Sequence, residues 1–233
     1  MNTYAGFLLD ADNTIFDYDR SEKEALIETC ALETPDVPPA KMVETYRSIN
    51  SEYWRRFEKG LIGVAELQVG RFDELLRAVG AKADARRVSD SYLDRLSRKA
   101  YFVPHAREVL EALASRATLA VITNGISRVQ RGRLETAGIS SLFKAILISE
   151  EVGCAKPDPR YFQLAVRAVG LDTHQLLCVG DNPLADIAGA RAAGIDACWF
   201  NPNRVPWPGP GDEPTFVASD LREIVKYGVG VFQ

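Results

Sequence analysis

Short apolar runs without polar alternation recur along this chain of 233 residues, and segments with helical periodicity separate them. Such runs are typical of parallel strands, because helices on both sides of a parallel sheet bury both faces of each strand. Strands that alternate with helices in this way predict an α/β fold with a doubly wound parallel sheet. The predicted strands occupy residues 5–9, 117–123, 145–149, 176–180 and 197–200.

Two helical segments between these strands carry clear end signals. One follows Asp158, which is a favourable N-cap residue, begins with Pro159 and ends before Gly170. The other spans residues 127–137 and ends before Gly138. Both segments are therefore predicted to be helices that pack on the sheet.

About 100 residues separate the first predicted strand from the second, and nearly all of them have helical character. In α/β sheets, the loops that leave the carboxyl ends of strands carry the functional sites. We therefore expect an inserted all-helical cap over an active site, in preference to a bundle that only adds stability. The predicted domains are an α/β core over 1–16 and 100–233 and a helical cap over 17–99. Within the cap we predict helices near 21–32, 39–58, 64–79 and 85–99; a further helix near 106–115 belongs to the core.

The overall charge argues against some classes of partner. The formal net charge is −4, which provides no electrostatic attraction for a nucleic acid polymer or an anionic membrane. The four cysteines lack C-x-x-C spacing, which favours reduced thiols over a zinc site or disulfides. The first apolar run is short and ends in carboxylates, so we expect neither a signal peptide nor a membrane span. We expect a cytoplasmic protein that is a monomer or a homodimer.

Polar motifs follow four of the predicted strands. The carboxyl ends of parallel strands open onto one edge of the sheet, so we expect the four motifs to meet in a single crevice. A lone D-x-D-x-T string is also compatible with an ordinary turn, whereas four motifs in register with the strands are not a coincidence. The motifs are Asp10-Ala11-Asp12-Asn13-Thr14, Thr123-Asn124-Gly125, Cys154-Ala155-Lys156-Pro157 and the segment from Gly180-Asp181-Asn182 to Asp186.

The charges in these motifs predict a cation site. Crowded carboxylates raise one another's pKa values and lower stability unless a cation binds among them. A hard divalent ion with oxygen ligands would compensate this negative charge, and the absence of His and Cys ligands favours Mg²⁺ over zinc. The motifs contain four carboxylates and one ammonium group, from Asp10, Asp12, Asp181, Asp186 and Lys156.

Phosphoryl transfer suits this set of groups. A carboxylate nucleophile divides phosphate ester hydrolysis into the formation and the breakdown of an acyl phosphate. A neighbouring carboxyl group can protonate the leaving group first and activate water afterwards. We assign these roles to Asp10 and Asp12. Thr123 and Asn124 are predicted to bind the phosphoryl oxygens, and Asp181 to bind the metal with support from Asp186. The two histidines, His105 and His174, lie outside the motifs, and the chain has no P-loop or G-x-G-x-x-G motif.

In their order and spacing, the motifs resemble those of the haloacid dehalogenase superfamily of phosphatases, over nearly the whole chain. The resemblance implies a Rossmann-like core with a helical cap between the first and second motifs, as predicted above. It implies that Mg²⁺ binds to Asp10, Asp181 and the main-chain carbonyl of Asp12, and that Thr123 and Lys156 hold the phosphoryl group. Dehalogenases of the superfamily lack the second aspartate of the D-x-D pair and use no metal, so Asp12 favours a phosphatase.

A narrower resemblance concerns the substrate. The strings QVGRF at 68–72, ITNG at 122–125, ISEEVGCAK at 148–156 and ACWFN at 197–201 are similar to those of the house-cleaning pyrimidine 5′-nucleotidases. Those enzymes remove phosphate from nucleoside monophosphates, so the implied substrate is a small phosphorylated metabolite, a nucleotide. Two alternatives stay open: the same fold acting on sugar phosphates or phosphoglycolate, and a non-catalytic domain that binds a phosphorylated ligand or a partner.

Aromatic and basic residues near the expected cap are candidates for contacts with the base of a nucleotide. Aromatic residues at helical spacing more often belong to a core, and arginines are usually solvated. The candidates are Phe16, Tyr18, Tyr53, Trp54, Arg55, Arg56, Phe57 and Arg71.

Overall fold

A computed structural model describes residues 3–208 and 213–228 of the chain. The predicted core segments also include residues 1–2, 209–212 and 229–233, which lie outside the described residues. Among the described residues, no helix is both long and apolar enough to cross a bilayer.

A six-stranded parallel sheet forms the centre of the structure, and its strand order is β3-β2-β1-β4-β5-β6. The predicted α/β fold with a doubly wound parallel sheet is confirmed. The first five strands match the predicted runs closely, whereas the three-residue β6 was not predicted. The strands are β1 (Gly6–Leu9), β2 (Thr118–Thr123), β3 (Ala145–Ile148), β4 (Leu176–Gly180), β5 (Asp196–Phe200) and β6 (Phe216–Ala218).

Helices cover both faces of this sheet, which explains the apolar runs in its strands. Neighbouring residues of β1 belong to different cores: Phe7 packs in one apolar cluster and Leu8 in another. Helices α5 and α6 cover the Phe7 side, and α8 and α9 cover the Leu8 side. In the described residues outside the insertion, the α-helices are α5 (Ala106–Ala114), α6 (Ser127–Ala137), α7 (Ser149–Val152), α8 (Pro159–Val169) and α9 (Gly189–Ala192).

Four helices occupy the insertion between β1 and β2, at the positions that the periodicity predicts. They build an apolar cluster of their own, in which the rings of Tyr46, Phe72 and Tyr92 lie 5.1–5.6 Å apart between centroids. Ile126 and Val129 at the start of α6 join that cluster, so the insertion rests on α6. The predicted domain limits remain a prediction. The inserted helices are α1 (Tyr18–Glu33), α2 (Pro39–Glu58), α3 (Val64–Val79) and α4 (Ala85–Ser97).

The two connections between the insertion and the sheet run side by side. The N–H of Asp17 donates to the carbonyl of Tyr101 at 2.8 Å, and the N–H of Val103 donates to the carbonyl of Ile15 at 3.1 Å. The rings of Phe16 and Phe102 pack at 5.5 Å between centroids, and the two residues form an antiparallel bridge. The path into the insertion is therefore tied to the path out of it, directly after the Asp10–Thr14 motif.

Candidate active site

All four predicted motifs meet in one cavity of about 200 Å³ at the carboxyl ends of the strands. The sheet provides one wall, and the inserted helices provide the other. The expected crevice therefore exists, and it lies between the sheet and the insertion. From the predicted site it is lined by Asp10, Asp12, Thr123, Asn124, Lys156, Asp181 and Asp186, and from the insertion by Tyr18, Asn50, Trp54 and Glu58.

The loop after β1 presents Asp10 and Asp12 to this cavity. Asp10 continues the sheet, because its N–H donates to the carbonyl of Val179 at 2.9 Å. The chain then turns sharply, and the N–H groups of Ile15 and Phe16 both donate to the carbonyl of Ala11. This tight turn keeps both carboxyl groups beside the cavity, with Asp10 only 6% exposed.

Lys156 is the central cation of the site and is only 3% exposed. Its Nζ donates to Oδ1 of Asp10 at 2.6 Å, to Oδ1 of Asp186 at 2.6 Å and to the carbonyl of Ile122 at 3.0 Å. Burial alone would lower the pKa of Lys156, but the facing carboxylates of Asp10 and Asp186 raise it well above its ordinary value. The lysine is therefore held as a cation, and these bonds use all three of its donor hydrogens.

The segment after β4, in which a short loop leads into a helical turn over Pro183–Ala188, brings two more carboxylates to the same place. Oδ2 of Asp186 accepts a hydrogen bond from the N–H of Asn182 at 3.0 Å, while its Oδ1 faces Lys156. A Cβ at position 180 would lie 2.2 Å from Oδ2 of Asp186, so Gly180 is required for this close approach. The indole of Trp199 fixes the loop by donating to the carbonyl of Asp181 at 2.8 Å.

The arrangement of carboxylates fits a hard divalent cation. One oxygen from each of Asp10, Asp181 and Asp186 lies within 4.8 Å of the other two. Burial raises the pKa of Asp10 well above its ordinary value, and burial followed by repulsion from Asp186 raises the pKa of Asp181 to about 7. Burial and the neighbouring carboxylates thus both disfavour negative charge here in the absence of a cation, and an oxygen-only donor set of this kind suits Mg²⁺.

The loop after β2 contributes Thr123 and Asn124, which the structure gives different partners. Oγ1 of Thr123 accepts a hydrogen bond from the N–H of Gly125 at 3.0 Å, which leaves its hydroxyl hydrogen available as a donor. The side-chain amide of Asn124 instead makes two reciprocal bonds of 2.8 and 2.9 Å with the main chain of Lys156. Asn124 therefore fixes the lysine loop, while the predicted phosphate contacts of both residues remain predictions.

Two buried residues of α6 hold the carboxylate of Asp12. Nε2 of Gln130 donates to one oxygen at 2.7 Å, and the guanidinium of Arg133 forms an ion pair with the other. A Cβ at position 125 would lie 2.2 Å from Nε2 of Gln130, so Gly125 leaves the space for this contact. Sequence reasoning missed both residues. Their spacing of three on a helix that starts just after the Thr123 motif is the signal that could have revealed them.

Arg133 also links Asp12 to the connections of the insertion. Its side chain is fully buried, its Nε donates to the carbonyl of Lys99 at 3.1 Å, and its guanidinium lies 4.5 Å from the ring centroid of Phe16. It places a second buried cation beside the site, where the sequence predicted only Lys156. The carboxylate cluster is consequently less negative than expected.

The residues predicted as candidates for contacts with the base of a nucleotide lie in different surroundings. Tyr18 and Trp54 line the cavity. Tyr53 belongs to the core of the insertion, Phe57 packs against Trp54, and Phe16 lies beneath Arg133. Among the arginines, Arg55 is exposed and pairs with Glu52, Arg56 pairs with Glu66, and Arg71 is buried.

Comparison with known proteins points to a single family. A family model described as haloacid dehalogenase-like hydrolase matches residues 4–194. The pyrimidine 5′-nucleotidase YjjG of Escherichia coli is 31% identical over 92% of this chain and 93% of its own length. The pyrimidine 5′-nucleotidase PynA of Streptococcus pneumoniae is 31% identical over 87% of this chain and 86% of its own length.

A solved structure agrees with the sequence relatives. The HAD-hydrolase YfnB of Bacillus subtilis superposes with a TM-score of 0.87 at 31% identity, over 97% of this chain and 98% of that one. That crystal structure is described as bound to magnesium and as revealing interdomain movement. The similarity thus extends through the inserted helices as well as the sheet.

Proposed function

The chain belongs to the haloacid dehalogenase-like hydrolases, and from this premise we propose that it is a Mg²⁺-dependent phosphomonoesterase that works through an aspartyl-phosphate. One observation carries the proposal: Asp10 and Lys156 lie in contact at the bottom of a cavity that Asp12, Asp181 and Thr123 also line. This set contains a nucleophile, an acid, a metal ligand and two phosphate-binding groups.

The reaction proceeds in two steps. In the first, an oxygen of Asp10 attacks phosphorus, the bond to the ester oxygen breaks, and Asp12 in its acid form gives a proton to the departing alkoxide. In the second, Asp12 takes a proton from water as the water oxygen attacks phosphorus. The bond to Asp10 breaks, and inorganic phosphate leaves. Gln130 and Arg133 orient Asp12 for both proton transfers.

The remaining residues neutralise and orient the phosphoryl group. Lys156 and Thr123 bind its oxygens, and Asn124 and Asp186 hold Lys156 in place. Asp10, Asp181 and the main-chain carbonyl of Asp12 would hold Mg²⁺, which would supply the positive charge that lets a carboxylate approach a phosphate dianion. The protein supplies the preorganised positions of these groups.

We assign the cap role to residues 17–99. The inserted helices form the wall of the cavity opposite the carboxylates, so they can exclude water from the acyl phosphate. The interdomain movement described for YfnB supports a cap that opens and closes. We also propose that the protein is located in the cytoplasm.

Nucleoside 5′-monophosphates, and pyrimidine nucleotides above all, are the proposed substrates. The support comes from the activities named for YjjG and PynA and from the aromatic side chains of Tyr18 and Trp54 at the cavity. Base–aromatic stacking is a common way for a protein to bind a base. Sugar phosphates and phosphoglycolate remain the alternatives.

Phosphate release from a panel of esters in the presence of Mg²⁺ tests the proposal. The panel contains UMP, dUMP, glucose 6-phosphate, phosphoglycolate and phenyl phosphate. The highest kcat/KM should belong to the pyrimidine nucleotides. A preference for glucose 6-phosphate or phosphoglycolate would reject the nucleotide assignment alone. Absence of turnover across the panel would reject the enzyme and favour a domain that binds a phosphorylated ligand.

A further inference from the structure

Arg71 and Arg133 are the largest fully buried side chains in the described part of the protein, and Arg71 lies in the insertion, on α3. It is 1% exposed, although arginine is among the residues that are least often buried without a partner. Its Nη1 donates to Oδ1 of Asn50 at 2.7 Å. Its Nε and Nη2 have no hydrogen-bond partner. Two donor nitrogens of the charged guanidinium, which carry three N–H bonds between them, are therefore buried without an acceptor, and this is an expensive arrangement unless a ligand supplies one.

The surroundings of Arg71 hold its guanidinium in one place. Its central carbon lies 5.3–5.8 Å from the ring centroids of Tyr46, Phe72 and Tyr92. Asn50, which accepts from Arg71, donates in turn to Oε1 of Glu22 at 2.8 Å. Aromatic faces and a relayed carboxylate stabilise the cation without using its remaining donors. The positive charge of Arg71 is therefore compensated, but its Nε and Nη2 donors still lack an acceptor.

Arg71 also lines a narrow recess beside the active-site cavity. Asp12, Tyr18, Trp54 and Gly125 line both spaces, so the recess adjoins the cavity. The recess has a volume of about 10 Å³. That is about the space of one water molecule, so it can admit a single oxygen atom but not a ring.

We propose that Arg71 determines substrate specificity by donating a hydrogen bond to a carbonyl oxygen of the leaving group. The inference rests on the proposed phosphatase function and extends it. Asp12, the proposed acid for the leaving group, lines both the cavity and the recess that Arg71 lines, so the group that departs from phosphorus is the one that reaches Arg71. The ring of the leaving group lies in the larger cavity beside Trp54 and Tyr18, and one exocyclic oxygen enters the recess.

A hydrogen bond from Arg71 would distinguish bases that carry a suitable carbonyl oxygen from bases that do not. Uracil, thymine and cytosine all carry a carbonyl oxygen at C2, which accepts hydrogen bonds from a guanidinium. Adenine has no carbonyl oxygen, so its nucleotides would leave Nε and Nη2 of Arg71 without an acceptor. A site with a buried donor rejects a ligand that lacks the matching acceptor far more strongly than an apolar pocket rejects a ligand of the wrong size.

The test compares UMP, AMP and phenyl phosphate as substrates of the wild-type protein and of the Arg71→Lys and Arg71→Met variants, with Mg²⁺ present. Phenyl phosphate has no carbonyl oxygen. The wild type should prefer UMP over AMP, and Arg71→Met should lower kcat/KM for UMP by about 10- to 100-fold, as expected for a hydrogen bond from a charged donor. The values for phenyl phosphate should stay within about threefold. Arg71→Lys keeps the positive charge among the aromatic rings and should show the same pattern of losses. It takes the place of Arg71→Met in the test if Arg71→Met does not fold.

Arg77→Met is the matched control, since Arg77 is an exposed arginine of the same helix α3 that pairs with Asp73. It should leave all three substrates unchanged. Equal losses for UMP and phenyl phosphate in the Arg71 variants would mean that the residue only supports the fold, and no loss for UMP would mean that it does not contact substrate. Either result overturns the inference while the phosphatase function stands.

A binding measurement separates the proposed role of Arg71 from the proposed phosphatase function. Calorimetric titration of Asp10→Asn protein with UMP and with AMP needs no turnover. Tighter binding of UMP that disappears in the Asp10→Asn, Arg71→Lys double variant supports the role of Arg71, even if the wild type hydrolyses none of the esters. Equal affinities for UMP and AMP overturn that role, even if phenyl phosphate is hydrolysed.

Discussion

Asp12 and Arg133 form an ion pair that joins the loop after β1 to the helix after β2, although the two residues are 121 positions apart. Arg133 is fully buried, whereas the side chain of Asp12 is 28% exposed and faces the cavity. The proposed acid–base group is therefore fixed on one side and accessible on the other. Such positioning is what proton transfer to a leaving group requires.

The Arg133–Asp12 pair leads to a first prediction. Arg133→Met should lower kcat for UMP by about 10- to 100-fold, because a mobile Asp12 protonates the departing alkoxide less effectively. The loss for p-nitrophenyl phosphate, whose leaving group needs little protonation, should be several-fold smaller. Steady-state kinetics on both esters measures this difference. Gln130→Leu should repeat the pattern more weakly, and a uniform loss on both esters would show that Arg133 acts only on the fold.

The nucleophile assignment provides a second prediction. Asp10→Asn should abolish phosphate release from every substrate, by at least about 10³-fold, because the amide cannot form the acyl phosphate. The protein should remain folded, as judged by circular dichroism. Asp73→Asn, at an exposed position of α3, is the control and should keep full activity. Substantial turnover by Asp10→Asn would transfer the nucleophile role to another group.

A third prediction concerns the stability that Lys156 provides. Lys156→Met leaves the carboxylates of Asp10 and Asp186 buried without their shared cation. Removal of one partner from a buried ion pair typically lowers the free energy of unfolding by about 3–5 kcal/mol. Chemical denaturation at pH 7.5 measures the loss. Mg²⁺ should restore part of it, as should acidification to a pH at which one carboxylate takes up a proton; a variant as stable as the wild type would contradict this electrostatic account.

The raised pKa of Asp181 gives a fourth prediction, for pH. Burial, and then the neighbouring Asp186, raise the pKa of Asp181 to about 7 in the folded protein. A free aspartate ionises near about 4. The folded state therefore keeps a proton that the unfolded chain loses, and the stability of the metal-free protein falls as pH rises from about 4 through about 7.

Mg²⁺ competes with that proton, because a carboxylate must be ionised to bind a metal. The increase in Tm caused by Mg²⁺ should therefore be larger at pH 8 than at pH 5.5. Below pH 7 the apparent affinity should decline, by up to about tenfold per pH unit. Differential scanning fluorimetry across pH measures both effects. Asp181→Asn should weaken binding and flatten its pH dependence, whereas an equal Tm increase at both pH values would contradict the role of Asp181.

The sheet and the convergence of the motifs could be predicted because they follow from local patterns and a general topological rule. The apolar runs identify five strands, and the shared carboxyl edge of parallel strands brings Asp10, Thr123, Lys156 and Asp181 together. The strand β6 was missed because it has only three residues, the middle one of which is exposed. Its short sequence has too little pattern to separate it from a loop.

The contacts of Arg133 and Arg71 could not be predicted in the same way. An arginine on a helix is usually solvated, and the spacing of three between Gln130 and Arg133 does not by itself show that α6 turns both side chains towards Asp12. The burial of Arg71 depends on how α2, α3 and α4 pack around it, which periodicity alone does not determine. Both roles arise from tertiary packing between segments far apart in the chain.

The three hydrogen bonds of Lys156 have a consequence for the order in which the site fills. Every hydrogen of the ammonium group already has an acceptor, so a phosphate that arrives at the metal-free protein meets a lysine with no spare donor. A divalent cation held by Asp10 would compete with the lysine for that carboxylate, and the lysine would then have a donor hydrogen for an anion. We therefore expect phosphate to bind more tightly after the cation than before it.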